Sequence, residues 1–146
     1  MSSSIQDDPS NWLQAVLAEF DCQTGTLHRT VEGYSLDLIV AIGVPDHLLP
    51  VISHIPFGKG IAGAAAESRE PVELCNLQKD LGGVAKEGAR ETKVSGSLAV
   101  PIFSADGAQV IGTLGIGMHQ PHDFSQGEKD RLAEKAIEVA LAWELC

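Results

Sequence analysis

The chain has 146 residues, of which 44% are hydrophobic, and this length predicts one domain with a substantial core. The 20 acidic and 10 basic side chains give a net charge of −10. This charge argues against nucleic-acid and anionic-membrane partners, because both select clustered Lys and Arg. No apolar run reaches the roughly 20 residues of a membrane span, and the first residues lack a signal-peptide pattern. Three cysteines without a Cys-x-x-Cys pair favour a reducing, cytoplasmic location.

The first half of the chain predicts an arm, a helix and a β-hairpin. The polar residues 1–10 are expected to form a flexible N-terminal arm before a single domain over 11–146. Apolar residues at helical spacing predict a helix over 11–20. Two strands, over 24–31 and 35–42, are separated by a short turn that contains glycine, which is typical of a hairpin.

Shorter elements follow, and a second hairpin precedes the last helix. The pattern predicts a helical turn at 46–49, strands at 55–57 and 71–75, a helix at 61–68, and a further helix near 84–89. Strands over 95–103 and 108–119 flank Asp106-Gly107, a strong hairpin signal. Ser125 and Glu128 form a capping box at the start of a helix over 126–145. Two hairpins with segregated helices predict an α+β fold with an antiparallel sheet.

Side-chain alternation divides the last hairpin into two faces. The bulky face consists of Leu98, Val100, Ile102, Val110, Leu114, Ile116 and Met118. The small-residue face consists of Ser97, Ala99, Pro101, Thr113, Gly115, Gly117 and His119, with Ile111 as its one bulky member. We expect the bulky face to pack on the terminal helices, while the small face is too weakly charged to be simply solvated.

Small side chains beneath a covering segment leave a concavity, and ligands bind in concavities. Residues 77–94 are long enough to cover the small-residue face. The predicted ligand-binding residues are Ser97, Ala99, Gly115, Gly117 and His119 from the sheet, with Leu81 and Val84 from the covering segment. The alternative is close packing of a short helix on the glycines, without a ligand.

The last helix has a wider apolar surface than one sheet contact requires. One stripe contains Leu132, Ala136, Val139 and Trp143, and the apolar surface extends to Ile137, Ala140 and Leu141. This width favours self-association, although a well-buried terminal helix would have the same pattern.

Two motifs suggest chemistry that their context does not support. Gly58, Gly60 and Gly63 match the dinucleotide fingerprint, but that fold requires a parallel sheet rather than hairpins. His119, His122 and Asp123 resemble metal ligands, yet no further ligand has supporting spacing, and His28 is isolated in the sequence. We therefore predict no metal site and no catalytic residue, and no motif identifies a cofactor.

Several segments in one order resemble a known family. They are a strand leading into a helix at 55–63, a final hairpin with matches at 98–102 and 110–116, and Phe-Ser at 124–125. The chain resembles a GAF domain over about residues 11–145. The resemblance implies a GAF-like, PAS-related fold: a six-stranded antiparallel sheet with terminal helices on one face and a ligand-covering segment on the other. It also implies a sensory module that binds a small ligand and dimerises through its terminal helices.

The subfamilies with known ligands or activities are not matched. Free methionine-(R)-sulfoxide reductases are GAF proteins of this size that use cysteines, but this chain has Ala62 at one matching position and no cysteine over 76–97. Their ligand-holding acids fall near Ser97, Gly115 and Gly117, none of which is acidic. The Cys-His pair of bilin-binding GAF domains and the motif of cyclic-nucleotide GAF domains are also absent.

The expected function is therefore that of a non-catalytic GAF sensory module with a small ligand of unknown identity. It would signal through terminal-helix contacts to a second copy or to a separate signalling partner. A diverged methionine sulfoxide reductase and a dimerisation scaffold without a ligand are the alternatives. The chain is expected either to stand alone or to be part of a longer sensor.

Overall fold

A computed structural model describes residues 5, 7–74 and 96–144 of the chain. The elements are α1 (Pro9–Phe20), β1 (Thr24–Val31), β2 (Ser35–Ile42), a 3₁₀ turn (Asp46–Leu48), α2 (Leu49–Ile52), β3 (His54–Pro56), α3 (Gly60–Ser68), β4 (Val72–Leu74), β5 (Gly96–Phe103), β6 (Val110–Met118) and α4 (Gln126–Glu144). None of the described helices is both long and apolar enough to cross a membrane. The helix predicted near 84–89 lies outside the described residues.

The strands form one six-stranded antiparallel sheet in the order β3-β2-β1-β6-β5-β4. This arrangement confirms the predicted α+β class and the two hairpins. The turns of both hairpins, residues 32–34 and 104–109, lie at the same end of the sheet, which we call the hairpin end.

The start of α1 differs from the prediction. The helix begins at Pro9, and the Asp8 carboxylate caps it by accepting a 3.0 Å hydrogen bond from the backbone N–H of Asn11. Proline is tolerated at the first helical position because the N–H it lacks would have no helical partner there. In addition, Ile5 is 7% exposed and belongs to the core. The helix therefore begins two residues before the predicted position, and Ile5 packs in the core.

The main core lies between one face of the sheet and the terminal helices α1 and α4. It includes the predicted bulky-face residues Leu98, Val100, Ile102, Leu114, Ile116 and Met118. Burying each such side chain stabilises the fold by about 1.5–3 kcal/mol.

Simple alternation predicts the wrong face for two residues near the turn of the second hairpin. Val110, predicted on the bulky face, pairs with Phe103, which shares the parity of Ser97 and Ala99, and it does not belong to the main core. The alternation predicts Ile111 on the small-residue face, but its side chain packs against the main core. The reason is a register shift between Ile102 and Phe103, where one residue of β6 is left over. Such a bulge changes the side to which the following side chains point.

Candidate functional site

The sheet register brings four of the predicted site residues together. Ser97 lies opposite Gly117, and Ala99 lies opposite Gly115, at alternate positions of the β5–β6 ladder and therefore on one face. Ala99 and Gly117 are buried, whereas Ser97 and Gly115 are half-buried. A methyl group at Gly115 would lie 3.0 Å from the Thr26 hydroxyl oxygen, so this position accommodates only a very small side chain. The predicted small-residue face is thus a real surface of the sheet, turned away from α1 and α4.

The other three predicted site residues are not brought to this group by the described structure. His119 follows the last residue of β6 and is exposed, and its backbone N–H donates a 2.9 Å hydrogen bond to the Gln23 side-chain oxygen. Leu81 and Val84, with the rest of the covering segment 77–94, lie outside the described residues.

A row of polar side chains from β1, which the pattern of the last hairpin does not predict, completes the face. Thr24 lies opposite Gly117, Thr26 opposite Gly115, and His28 opposite Thr113. The sequence does contain this pattern. Every second residue of β1 is polar, which places these side chains on one face of the strand: Thr24, Thr26, His28 and Thr30. β1 is the central neighbour of β6, so these side chains extend the small-residue face with hydroxyl and imidazole groups.

His28 is buried as a neutral imidazole. The residue is 1% exposed, and its Nε2 lies 2.9 Å from the carbonyl oxygen of Ile52. A carbonyl oxygen only accepts hydrogen bonds, so Nε2 carries the proton and Nδ1 is an acceptor. Burial lowers the pKa of His28, and the bond to Ile52 and the charge of Asp37 oppose this shift.

Three buried side-chain atoms on this face have no hydrogen-bond partner among the described residues. They are His28 Nδ1, Thr30 Oγ1 and Thr113 Oγ1. Each such atom costs about 1–3 kcal/mol relative to a hydrogen-bonded one. The centre of the face is therefore a polar patch that a hydrogen-bonding group would stabilise.

α3 covers the part of this face that is nearest the hairpin end. Its buried residues Ala65 and Ala66 are 0% and 2% exposed, and the helix contacts β3, β4, β5 and β6. At its end, Arg69 donates two 2.9 Å hydrogen bonds to the carbonyl oxygens of Gly107 and Ala108. A short helix therefore packs on the sheet at the hairpin end. Ser97 and Gly117 lie at the opposite end of β5 and β6.

The described residues contain no reactive thiolate near this face. Cys22 is the one cysteine among them, and burial, followed by the charges of Glu128 and Asp21, raises the pKa of its thiol to about 12. Ala62, where the reductases have a cysteine, lies in the first turn of α3. A thiol with this pKa is fully protonated at neutral pH and is a poor nucleophile.

Of the two histidines near the end of β6, His122 contacts the start of α4. His122 Nε2 lies 3.1 Å from a carboxylate oxygen of Glu128. The predicted capping box is present, because Ser125 and Glu128 exchange hydrogen bonds of 2.8 and 3.1 Å. In the described part of the chain, no three His, Cys, Asp or Glu side chains are grouped as metal ligands would be.

Comparison with known proteins agrees with this architecture. A family model described as GAF domain matches residues 11–144. No curated protein matches the chain.

Solved structures show the same fold at low sequence identity. The GAF domain of an Acinetobacter phosphoenolpyruvate-protein phosphotransferase is 18% identical, with a TM-score of 0.76, covering 97% of this chain and 82% of that one. A domain assigned to a two-component sensor histidine kinase protein from Sinorhizobium meliloti is 16% identical, with a TM-score of 0.74 and coverages of 98% and 93%. The free methionine-R-sulfoxide reductase from Neisseria meningitidis is 21% identical, with a TM-score of 0.69 and coverages of 89% and 72%. At these identities the similarity establishes the fold alone.

Proposed function

Because the chain belongs to the GAF domain family, we propose that it is a sensory module that binds a small molecule and catalyses no reaction itself. The observation that carries the proposal is the small-residue face, where two glycines, an alanine and a serine adjoin a row of threonines. Fold alone does not define function, so the proposal rests on this site and on the family together.

The chemistry of the face favours an uncharged polar ligand. The residues proposed to contact it are Ser97, Ala99, Gly115, Gly117 and His119, with Leu81 and Val84 from the covering segment. The neighbouring Thr24 and Thr26 add hydroxyl groups, and none of the sheet residues in this group carries a carboxylate or an ammonium. A ligand with hydroxyl or amide groups would match this surface, since hydroxyls both donate and accept hydrogen bonds. Binding beneath residues 77–94 would then change the contacts of the terminal helices.

Native mass spectrometry of the protein purified from its own host tests ligand binding directly. We expect a retained small molecule in the wild-type protein and its loss in Ser97→Leu, which fills the space above the face. Ser53→Leu adds the same side chain at an exposed position outside the site and should retain the molecule. A wild-type protein that is free of small molecules and binds none from a metabolite extract would contradict the proposal.

Self-association through α4 is the second part of the proposal. Ile137 and Leu141 are one helical turn apart and are 59% and 54% exposed, outside the main core. Two large apolar side chains at this spacing form a stripe that a second copy of the helix would cover. Ile137→Glu together with Leu141→Glu should convert a dimer into a monomer in light scattering. Val51→Glu is the matched control, because Val51 is 58% exposed on another surface. A wild-type monomer at micromolar concentration would contradict this part.

An enzymatic role as a sulfoxide reductase is the competing function, since the fold is shared with one such enzyme. The absent cysteine at Ala62 and the high pKa of Cys22 argue against it. The test is thioredoxin-coupled oxidation of NADPH with free methionine sulfoxide. We expect no turnover, whereas turnover that is lost in Cys75→Ser would establish the enzyme instead.

A further inference from the structure

A groove at the hairpin end contains none of the sheet residues proposed to hold the small-residue ligand, and it shares only Thr30 with the polar row of β1. The β1–β6 ladder ends at Arg29 and Gly112, just where the register shift displaces the first residues of β6. Beyond this point the two hairpin tips diverge, and a groove of about 740 Å³ lies between them, bounded by α3 and the end of α4. This volume is within the range of roughly 300–1,000 Å³ that is usual for small-molecule sites.

One wall of the groove presents an oriented cation. The guanidinium carbon of Arg29 lies 4.7 Å from the centre of the Trp143 ring, and Arg29 forms no ion pair with a described carboxylate. A guanidinium stacked on an aromatic ring keeps its N–H groups available at the edge, in the geometry that suits a carboxylate. Arg69 also lines the groove, but its guanidinium already donates hydrogen bonds to the backbone carbonyls of Gly107 and Ala108, which hold it in place.

Two carboxylates that form no ion pair within the described residues face the same groove. Glu67 belongs to α3, and Glu32 belongs to the turn of the first hairpin, where its carboxylate accepts a 2.9 Å hydrogen bond from the Tyr34 hydroxyl. Glu32 has a φ of 58°, a left-handed conformation that costs a side-chain-bearing residue about 1–2 kcal/mol. Glycine would avoid this cost, so the backbone conformation of the turn does not explain why a glutamate is present at this position.

The inner part of the groove offers one polar atom and an apolar surface. Thr30 lines it, and its hydroxyl oxygen is buried without a partner among the described residues. Ile111, displaced by the bulge, and the Trp143 ring supply apolar area beside it. A ligand here would gain a hydrogen bond to Thr30 as well as apolar contact.

We propose that this groove binds a short zwitterionic peptide. Its α-carboxylate would pair with Arg29, its α-ammonium with Glu32 and Glu67, and one apolar side chain would lie against Ile111. Two glutamates and two arginines line the groove, so a ligand with charge of one sign would leave groups of the other sign unmatched, and the net charge of −10 further disfavours an anion. A peptide of about three residues has both charges and is small enough for a groove of about 740 Å³.

The test is an NMR titration of the full chain with the tripeptide Ala-Leu-Ala, in parallel with its N-acetylated and C-amidated forms. We expect shifts at Thr30, Ile111 and the Trp143 indole N–H, and none at Ser97 or Gly117. Blocking either terminus should weaken binding by about two- to five-fold, which is the range for partly exposed charge pairs.

Charge-neutral variants assign each end of the peptide. In Arg29→Gln the effect of C-amidation should disappear, and in Glu67→Gln the effect of N-acetylation should shrink. Arg131→Gln is the matched control for the arginine, since Arg131 stacks on Phe20 at the same 4.7 Å outside the groove. Glu70→Gln is the control for the acid.

Three outcomes would overturn the proposal. They are the absence of shifts up to about 10 mM peptide, equal binding of the doubly blocked peptide, and equal effects of the groove and control variants. The blocked-peptide comparison uses the wild-type protein, so it holds even if a variant folds poorly. Because the shifts are read at groove residues, the result is independent of whether the small-residue face binds its own ligand.

Discussion

Alanine substitutions at two glycines of β6 should have opposite consequences. A methyl group at Gly112 would lie 2.4 Å from the backbone oxygen of His28 and 2.9 Å from a ring carbon of Trp143. Carbon–oxygen contacts are normally no shorter than about 3.3 Å, so either the β1–β6 ladder or the end of α4 must move. Overpacking of this kind costs about 1–3 kcal/mol, and alanine recovers about 0.5–1 kcal/mol of chain entropy. We expect Gly112→Ala to destabilise the fold by about 2 kcal/mol.

Gly115→Ala is the matched substitution on the opposite face. Its methyl group would lie 3.0 Å from the Thr26 hydroxyl oxygen, which can rotate away, and the next nearest described atom is 3.9 Å away. The entropy gain should offset this contact, leaving stability within about 0.5 kcal/mol of wild type. The same methyl group enters the small-residue face, so Gly115→Ala should stay folded and lose the retained small molecule.

Urea unfolding followed by tryptophan fluorescence measures both variants. For a chain of this length, 2 kcal/mol corresponds to a fall in Tm of about 4–8 °C. Gly112→Ala should shift the urea midpoint at an unchanged slope, because the surface exposed on unfolding is the same. Equal stabilities for the two variants would refute the assigned faces of β6, and a Gly115→Ala protein with undiminished ligand would refute the site.

Substitutions at three further positions test particular contacts. Burial lowers the pKa of His28, so its imidazole is protonated at a higher pH in the unfolded chain than in the folded protein. The stability of the wild-type protein should therefore fall as the pH drops below about 6.5. In His28→Gln, the urea midpoint should fall less between about pH 7.5 and 5.5. Ser125→Ala removes the capping hydrogen bond at the start of α4 and should cost about 1 kcal/mol, while Ser125→Asp should restore most of it, as measured by thermal unfolding. Arg69→Met breaks both bonds to the second hairpin and should speed amide exchange at that turn while leaving exchange in α1 unchanged.

Much of the architecture follows from local features of the sequence. The Asp106-Gly107 turn and the strand alternation around it predict the last hairpin and its two faces, because turn chemistry and side-chain parity depend on neighbouring residues only. The capping box at Ser125 is local in the same sense. The grouping of Ser97, Ala99 and the two glycines followed directly from parity and is the arrangement that the register shows.

Features that depend on the pairing of strands far apart in sequence are visible only in the tertiary structure. The bulge that moves Ile111 into the core is a property of the β5–β6 register, and no count along β6 alone reveals it. His28 looks isolated in the chain, yet the pairing of β1 with β6 places it opposite Thr113, where α2 supplies its hydrogen-bond acceptor. The groove at the hairpin end arises only because that pairing stops at Arg29. Contacts between segments that are far apart in sequence depend on how all the elements pack together, and side-chain periodicity within one segment carries no information about its partner.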